Sequence, residues 1–262
     1  MSIAEHHDEV MTALVAASRH PDAASRRAFG ETVRQDRGSQ LEYVGLRFPD
    51  RRRVVRQGFS FYGLGDEGVL AVWDELWRAS PNGDVLFAAL DYYRPIVRTR
   101  VRPILWPVVR RWIDRIDNWA HCDELASLYS WILAAQPGDV YPQLVDWNQS
   151  TDQWKRRISI VSLIHYSGKD AVFLPIEMVL PLVSNCLDDD RDYVQSAIGW
   201  VLRETGNAYP DQIRAYLEEH IDVLSSSAFS RAIERRDDVE RVELRAMRKD
   251  RRSGSRTVPF ES

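Results

Sequence analysis

The sequence predicts an all-α chain, read as an α-solenoid of paired helices. Three observations carry that reading. From about residue 66 onward apolar residues recur at spacings of three and four, while strand-like alternation is scarce. Pro81, Pro103, Pro137, Pro142, Pro175 and Pro181 fall at or near the ends of the periodic runs, which cuts the chain into many short helices joined by tight turns. Trp119, Trp154 and Trp200 each stand in the first or middle part of a helix, 35 and 46 positions apart. Helical repeats of the HEAT kind have periods of roughly 40 to 47 residues.

Taken in order, the elements begin with EHHDE, placed on a first helix whose histidines and acids are expected on a solvated face, since no partner ligands for a metal occur elsewhere. FSFYGLGDEG has a GxGxxG spacing at Gly63, Gly65 and Gly68. Asp66 and Glu67 would repel a pyrophosphate and no βαβ pattern surrounds them, so the glycines are expected to turn the chain into a helix. That helix, VWDELWRAS, carries Trp73 and Trp77 one turn apart, and these are assigned to packing together with Trp112 and Trp131. Asp117 reads as a helix-start residue. Ser150 and Gln153 have capping-box spacing, and DDDRD at 188–192 places carboxylates where a helix N-terminus favours them. Gly206 is expected to end the helix holding VLRET, with Pro210 opening the next at its first position. Residues 1–250 are expected to form a single repeat domain, and the charged, Ser-rich segment from 245, above all 251–262, a frayed tail.

At 262 residues, 44% hydrophobic and 28% charged, the chain can bury a large core. It has no apolar run of the ~18 residues a bilayer crossing needs, and MSIAEHHDEV lacks a signal peptide's basic and apolar regions, so the cytoplasm is the expected compartment. Cys122 and Cys186 lie in apolar-periodic segments without CxxC spacing and are expected to be buried thiols; neither a metal nor a cofactor is indicated. A net charge of -4 argues against indiscriminate nucleic-acid binding. The basic residues are unusual: only Lys155, Lys169 and Lys249 are lysines, leaving 32 arginines, grouped at Arg51 to Arg53, Arg98/Arg100/Arg102 and Arg110/Arg111. Arginine forks suit phosphate oxygens, but a GC-rich genome would produce the same excess, and both explanations stand.

Helical phase sorts the candidates, since each residue advances about 100° around its helix. In the helix from Trp119 the apolar stripe is Cys122, Leu125, Leu128, Tyr129, Ile132 and Leu133, while Trp119, Asp123, Ser127 and Ser130 lie on a mostly polar side. In the helix around 192–204 the stripe is Val194, Ala197, Ile198, Val201 and Leu202, with Tyr193, Ser196, Trp200 and Arg203 largely away from it. Two off-stripe tryptophans beside a carboxylate and an arginine suggest a shared cleft. Trp154 sits at its stripe's margin. Phase does not single out Arg157, which either projects into a groove or pairs with a buried carboxylate.

DNWAHCDELAS, WNQSTDQWKRRISIVSLIHY and YVQSAIGWVLRE resemble, in order and approximate spacing, the DNA alkylation repair glycosylases of the AlkD type, built of HEAT-like repeats. The likeness covers roughly residues 40–235. It implies a concave DNA-binding groove and an open cleft around the deoxyribose of a damaged nucleotide, formed by Trp119, Asp123 and Trp200. It further implies that Arg157 and Arg203 hold the DNA backbone, with Trp154 in the same DNA-binding set. The implied reaction is hydrolysis of the N-glycosidic bond of cationic N3- or N7-alkylated purines without metal or cofactor. The implied partner is duplex DNA containing alkylated bases, met by a monomer in the cytoplasm or at the nucleoid. The residues suit that chemistry. A carboxylate steadies an oxocarbenium-like sugar and orients water, and the absence of a second acid fits a base that already carries positive charge. The alternatives are an inactive DNA-binding repeat protein, a protein-binding scaffold, and a resistance glycosylase for bulky adducts.

Overall fold

The computed structural model describes residues 1–20, 22–165 and 170–254. Among them every regular element is helical, and extended pairing is limited to two isolated bridges, Glu42 with Asn82 and Ile164 with Val172. The chain divides into two compact units, Met1–Val140 and Tyr141–Ser262.

The first unit contains α1 (Ile3–Ala16), α2 (Ala23–Arg37), α3 (Phe48–Gln57), α4 (Gly65–Ala79), α5 (Gly83–Thr99), the short α6 (Leu105–Val109) and α7 (Trp119–Ala135). α1 starts on a true capping box, with Ser2 accepting from the Glu5 amide and Glu5 accepting from the Ser2 amide. The glycine-rich segment behaves as expected: residues 60–64 form a 3-10 turn, and Gly65 enters α4 at φ +73, a conformation that costs glycine nothing. α3, α5 and α7 lie side by side, and α4 packs against α5, α1, the 60–64 turn and a second 3-10 turn, Arg110–Arg115.

Tryptophans fill this core as anticipated. Trp73, Trp77 and Trp112 are fully buried. Trp73 meets Phe59 and Phe61 edge-on, and Trp77 stacks on Trp112 at 4.4 Å. Both indoles of the stacked pair are satisfied, Trp77 Nε1 by the Trp112 carbonyl at 3.0 Å and Trp112 Nε1 by Asp74 at 2.9 Å.

EHHDE departs from its expectation of a solvated face. His6 is buried and meets Phe61 edge-on, and His7 hydrogen bonds Ser80 at 3.0 Å. Here α1 lies against α4, so the histidine side of α1 is the packed one. Among the described residues no group of three or more His, Cys, Asp and Glu could hold a metal ion.

α8 (Pro137–Asn148) carries the division between the units. The second unit then contains α9 (Gln153–Val161), α10 (Ile176–Ser184), α11 (Asp192–Thr205), α12 (Pro210–Glu219), α13 (Ser226–Ala232) and α14 (Asp238–Gly254). α9, α11 and α13 lie side by side, as α3, α5 and α7 do in the first unit. Gly206 ends α11 and Pro210 opens α12, as expected.

Three local expectations need correction. Asp152, one residue before α9, accepts from the amides of Trp154 and Lys155, so it supplanted Ser150 as the cap. A carboxylate nearer the helix start competes better for those amides. Pro142 and Pro181 lie inside α8 and α10 rather than at their ends. The carbonyl each leaves unpaired, four residues back, belongs to exposed Gly138 or Glu177, where water can satisfy it. In DDDRD, Asp192 lies in the first turn of α11, but Asp189 instead clasps Arg191 at 2.8 and 2.5 Å.

The segment from 245 is not a tail up to its described end. It continues α14, where Arg248 is buried, lies over the Phe229 ring and donates to the carbonyls of Ile221 and Leu224. The rest of the expected tail, 255–262, lies outside the described residues. Among the described residues no helix is long and apolar enough to cross a membrane.

Candidate active site

The candidate site starts from the N-terminus of α7. Asn118 caps it, its Oδ1 accepting from the amides of Ala120 and His121 at 3.1 Å each. The Nδ2 of the same side chain lies 2.7 Å from Asp117 Oδ1 and 2.7 Å from His121 Nδ1. Because Asn118 Nδ2 donates, His121 Nδ1 accepts, and His121 Nε2 is the protonated nitrogen, donating to the Gly83 carbonyl at 2.9 Å. The imidazole is fully buried and stacks on Phe87 at 3.8 Å. Burial, with Arg37 and Arg51 nearby, pushes its pKa down to about 3, against the pull of the Gly83 bond and Asp117.

Asp117 was expected to start the helix. It instead accepts from Ser39 Oγ at 2.9 Å and from the Gln40 amide at 2.6 Å, so it ties α7 to the segment after α2. Asn118 took the cap because its amide can accept from the helix and donate outward at once.

On this fixed start sits Trp119, the first residue of α7, 37% exposed. Asp123 follows one turn later and is 7% exposed. The side of α7 expected to be open is polar but closed: Ser127 and Ser130 are buried too, with Ser130 Oγ returning to the Ser127 carbonyl at 3.0 Å. A small hydroxyl that bonds its own helix, as that of Ser130 does, can be covered at little cost, which phase alone does not reveal. The apolar stripe from Cys122 to Leu133 is buried as expected, Cys122 as a free thiol.

The other candidates belong to the second unit. Trp154 is buried, with its ring 4.9 Å from that of Tyr193. Arg157, also buried, donates through Nη1 to the Tyr193 carbonyl and to Ser196 Oγ, the latter at 2.9 Å. Trp154 and Arg157 are thus brought together on α9 around the first turn of α11. Trp200 stands further along α11, 9% exposed, and Arg203 lies in its last turn. Arg203 is ion-paired with Glu204 at 2.7 Å and Glu234 at 2.6 Å.

Many of the grouped arginines are paired or stacked within the fold. Arg51 is buried, donating to Asp91 at 2.7 Å with its guanidinium 4.3 Å above the Phe87 ring; Arg52 shares Asp91 at 3.0 Å, and Arg53 takes Asp50 at 3.0 Å. Arg102 pairs with Asp66, Arg111 with Asp74, and Arg98 lies over Trp131. Apart from Asp50, one turn from Arg53, the acidic partners lie some 36 to 40 positions away, out of reach of local reading; the acid in ALDYY at 91 was the available signal.

The helices make an all-α protein in which an exposed indole, Trp119, and a carboxylate, Asp123, stand one turn apart at the capped start of α7. The comparisons give the family. The model of the DNA alkylation repair enzyme family matches residues 10–235, and the chain belongs to that family. The match extends well before residue 40, into α1. A solved structure described as a predicted DNA alkylation repair enzyme from Enterococcus faecalis shares the fold, with a TM-score of 0.67 at 14% identity, over 80% of this chain and 96% of that one. No curated protein matches the sequence significantly.

Proposed function

We propose that the protein is a monofunctional DNA glycosylase. It hydrolyses the N-glycosidic bond of cationic N3- or N7-alkylated purines, such as 3-methyladenine and 7-methylguanine, in duplex DNA. The observation that carries this reading is Trp119, exposed at the capped start of α7 with Asp123 one turn behind it, in a chain of the DNA alkylation repair enzyme family. Residues 1–250 are read as one array of HEAT-like repeats with a concave DNA-binding groove, working as a monomer in the cytoplasm or at the nucleoid.

The chemistry follows from charge. Loss of an alkylated purine leaves positive charge on the sugar; the base departs neutral with the bond's electron pair, so no proton donor is required. The Asp123 carboxylate steadies the oxocarbenium-like sugar and orients a water, which adds to C1′ and sheds its proton to Asp123 or solvent. Trp119 and Trp200 offer indole faces to the same cationic sugar, at about 0.5–2 kcal/mol each. Arg157, Arg203 and Trp154 serve the DNA backbone and set the position of the sugar.

The test is base release from duplex containing 7-methylguanine. Wild type is expected to release the base, and Asp123→Asn to be slower by about 100-fold or more with its helical circular dichroism intact. No release by wild type, or undiminished release by Asp123→Asn, would overturn the assignment.

A further inference from the structure

Arg203 meets two carboxylates of unequal standing. Glu204 is anchored: its side chain is 7% exposed and both oxygens are engaged. Oε1 accepts from Arg203 Nε at 3.2 Å and Nη2 at 2.7 Å, and Oε2 from Arg235 Nη1 at 2.8 Å and Asn207 Nδ2 at 3.4 Å. Glu234, just past α13, is 58% exposed and holds Arg203 by one bond, Nη1 to Oε2 at 2.6 Å. Arg203 hydrogen bonding, followed by the charges of Arg203, Arg231 and Arg235, holds the Glu234 carboxyl below its usual range. The guanidinium is therefore fixed along one edge by a buried acid, while its Nη1 corner is closed by an acid that water can reach.

A carboxylate and the two free oxygens of a phosphodiester present similar acceptors to a guanidinium. An exposed ion pair of one bond is weak and easily exchanged, whereas Glu204 is not. We propose that Glu234 is a placeholder for a DNA backbone phosphate: it occupies the Nη1 corner of Arg203 in the free protein and is displaced when duplex binds. The proposal rests on Arg203 as a backbone contact. It explains why a phosphate-binding arginine is found fully committed to protein acids. Glu204 keeps the fork aimed while Glu234 changes places with the ligand. The exchange lowers affinity for any single phosphate, so stable binding requires the other contacts that a duplex makes in register.

The experiment compares wild type, Glu234→Gln, Arg203→Ala and the double variant for binding to a fluorescent duplex at fixed salt. Glu234→Gln is expected to bind about three- to tenfold tighter, because the competing charge is gone. Arg203→Ala is expected to bind more weakly, and in its background Glu234→Gln should change nothing. If Arg203→Ala weakens binding but Glu234→Gln leaves it unchanged, the placeholder is wrong and the backbone role of Arg203 survives. Equal tightening with and without Arg203 would show general repulsion and also overturn it. Unchanged binding by Arg203→Ala would remove the backbone contact and the placeholder together.

Discussion

His121 is neutral inside the fold, and that makes stability depend on acid in a calculable way. An unfolded histidine takes up a proton below about pH 6.5, whereas the buried ring, held by Asn118 and Gly83 against Phe87, resists until about pH 3. Acid therefore favours the unfolded chain between those values: the contribution is complete above about pH 6.5 and is lost as pH falls toward 3. Each pH unit in that window is worth about 1.4 kcal/mol, so the step from pH 7 to pH 5 removes about 2 kcal/mol. The assay is urea denaturation of wild type and His121→Gln at pH 7, 6 and 5. The variant starts lower at pH 7, having lost ring packing, but its stability should fall by about 2 kcal/mol less than wild type over that range. Other titrating groups act equally in both proteins and cancel in the difference. Parallel pH profiles would refute the neutral, buried imidazole.

Two further outcomes test the core. Arg51→Met leaves Asp84 without its cation and Asp91 with only Arg52, and should cost about 3 kcal/mol or more by urea denaturation; a loss under about 1 kcal/mol would show that the cluster contributes little. Gly30→Ala would ordinarily strengthen a helix by about 1 kcal/mol, but a Cβ at 30 overlaps the Tyr43 carbonyl oxygen, so the melting temperature should fall; a rise would mean that α2 moves aside freely.

What the sequence made legible was what depends on near neighbours. Helical periodicity, the Gly65 turn, the end of α11 at Gly206 and the Pro210 start all rest on contacts within a few residues. The stripe of α7 was legible for the same reason. What escaped depends on distant partners. Arg51 finds Asp91 40 positions away, and Asp117 finds Ser39 78 positions away. The burial of Ser127 and Ser130 could not be read either, because a polar side looks open until something covers it. Phase set Trp119 and Asp123 apart from the apolar stripe of α7 but did not reveal the burial of Asp123. Phase gave no sign of Asn118 and His121, whose value lies in a bond between two side chains at the helix start.

The bonds from Asp117 to Ser39 and Gln40 also change what the N-terminal region is for. The motifs legible in the sequence begin near residue 40, although the family match runs from residue 10. Mechanically, the chain just after α2 works as a splint on the helix that carries Trp119. Trimming the protein to its recognisable motifs would cut that splint and leave the indole on a loosened hinge. A minimal working unit therefore has to be drawn along hydrogen bonds, and it has to keep Ser39 and Gln40 with the helix they brace.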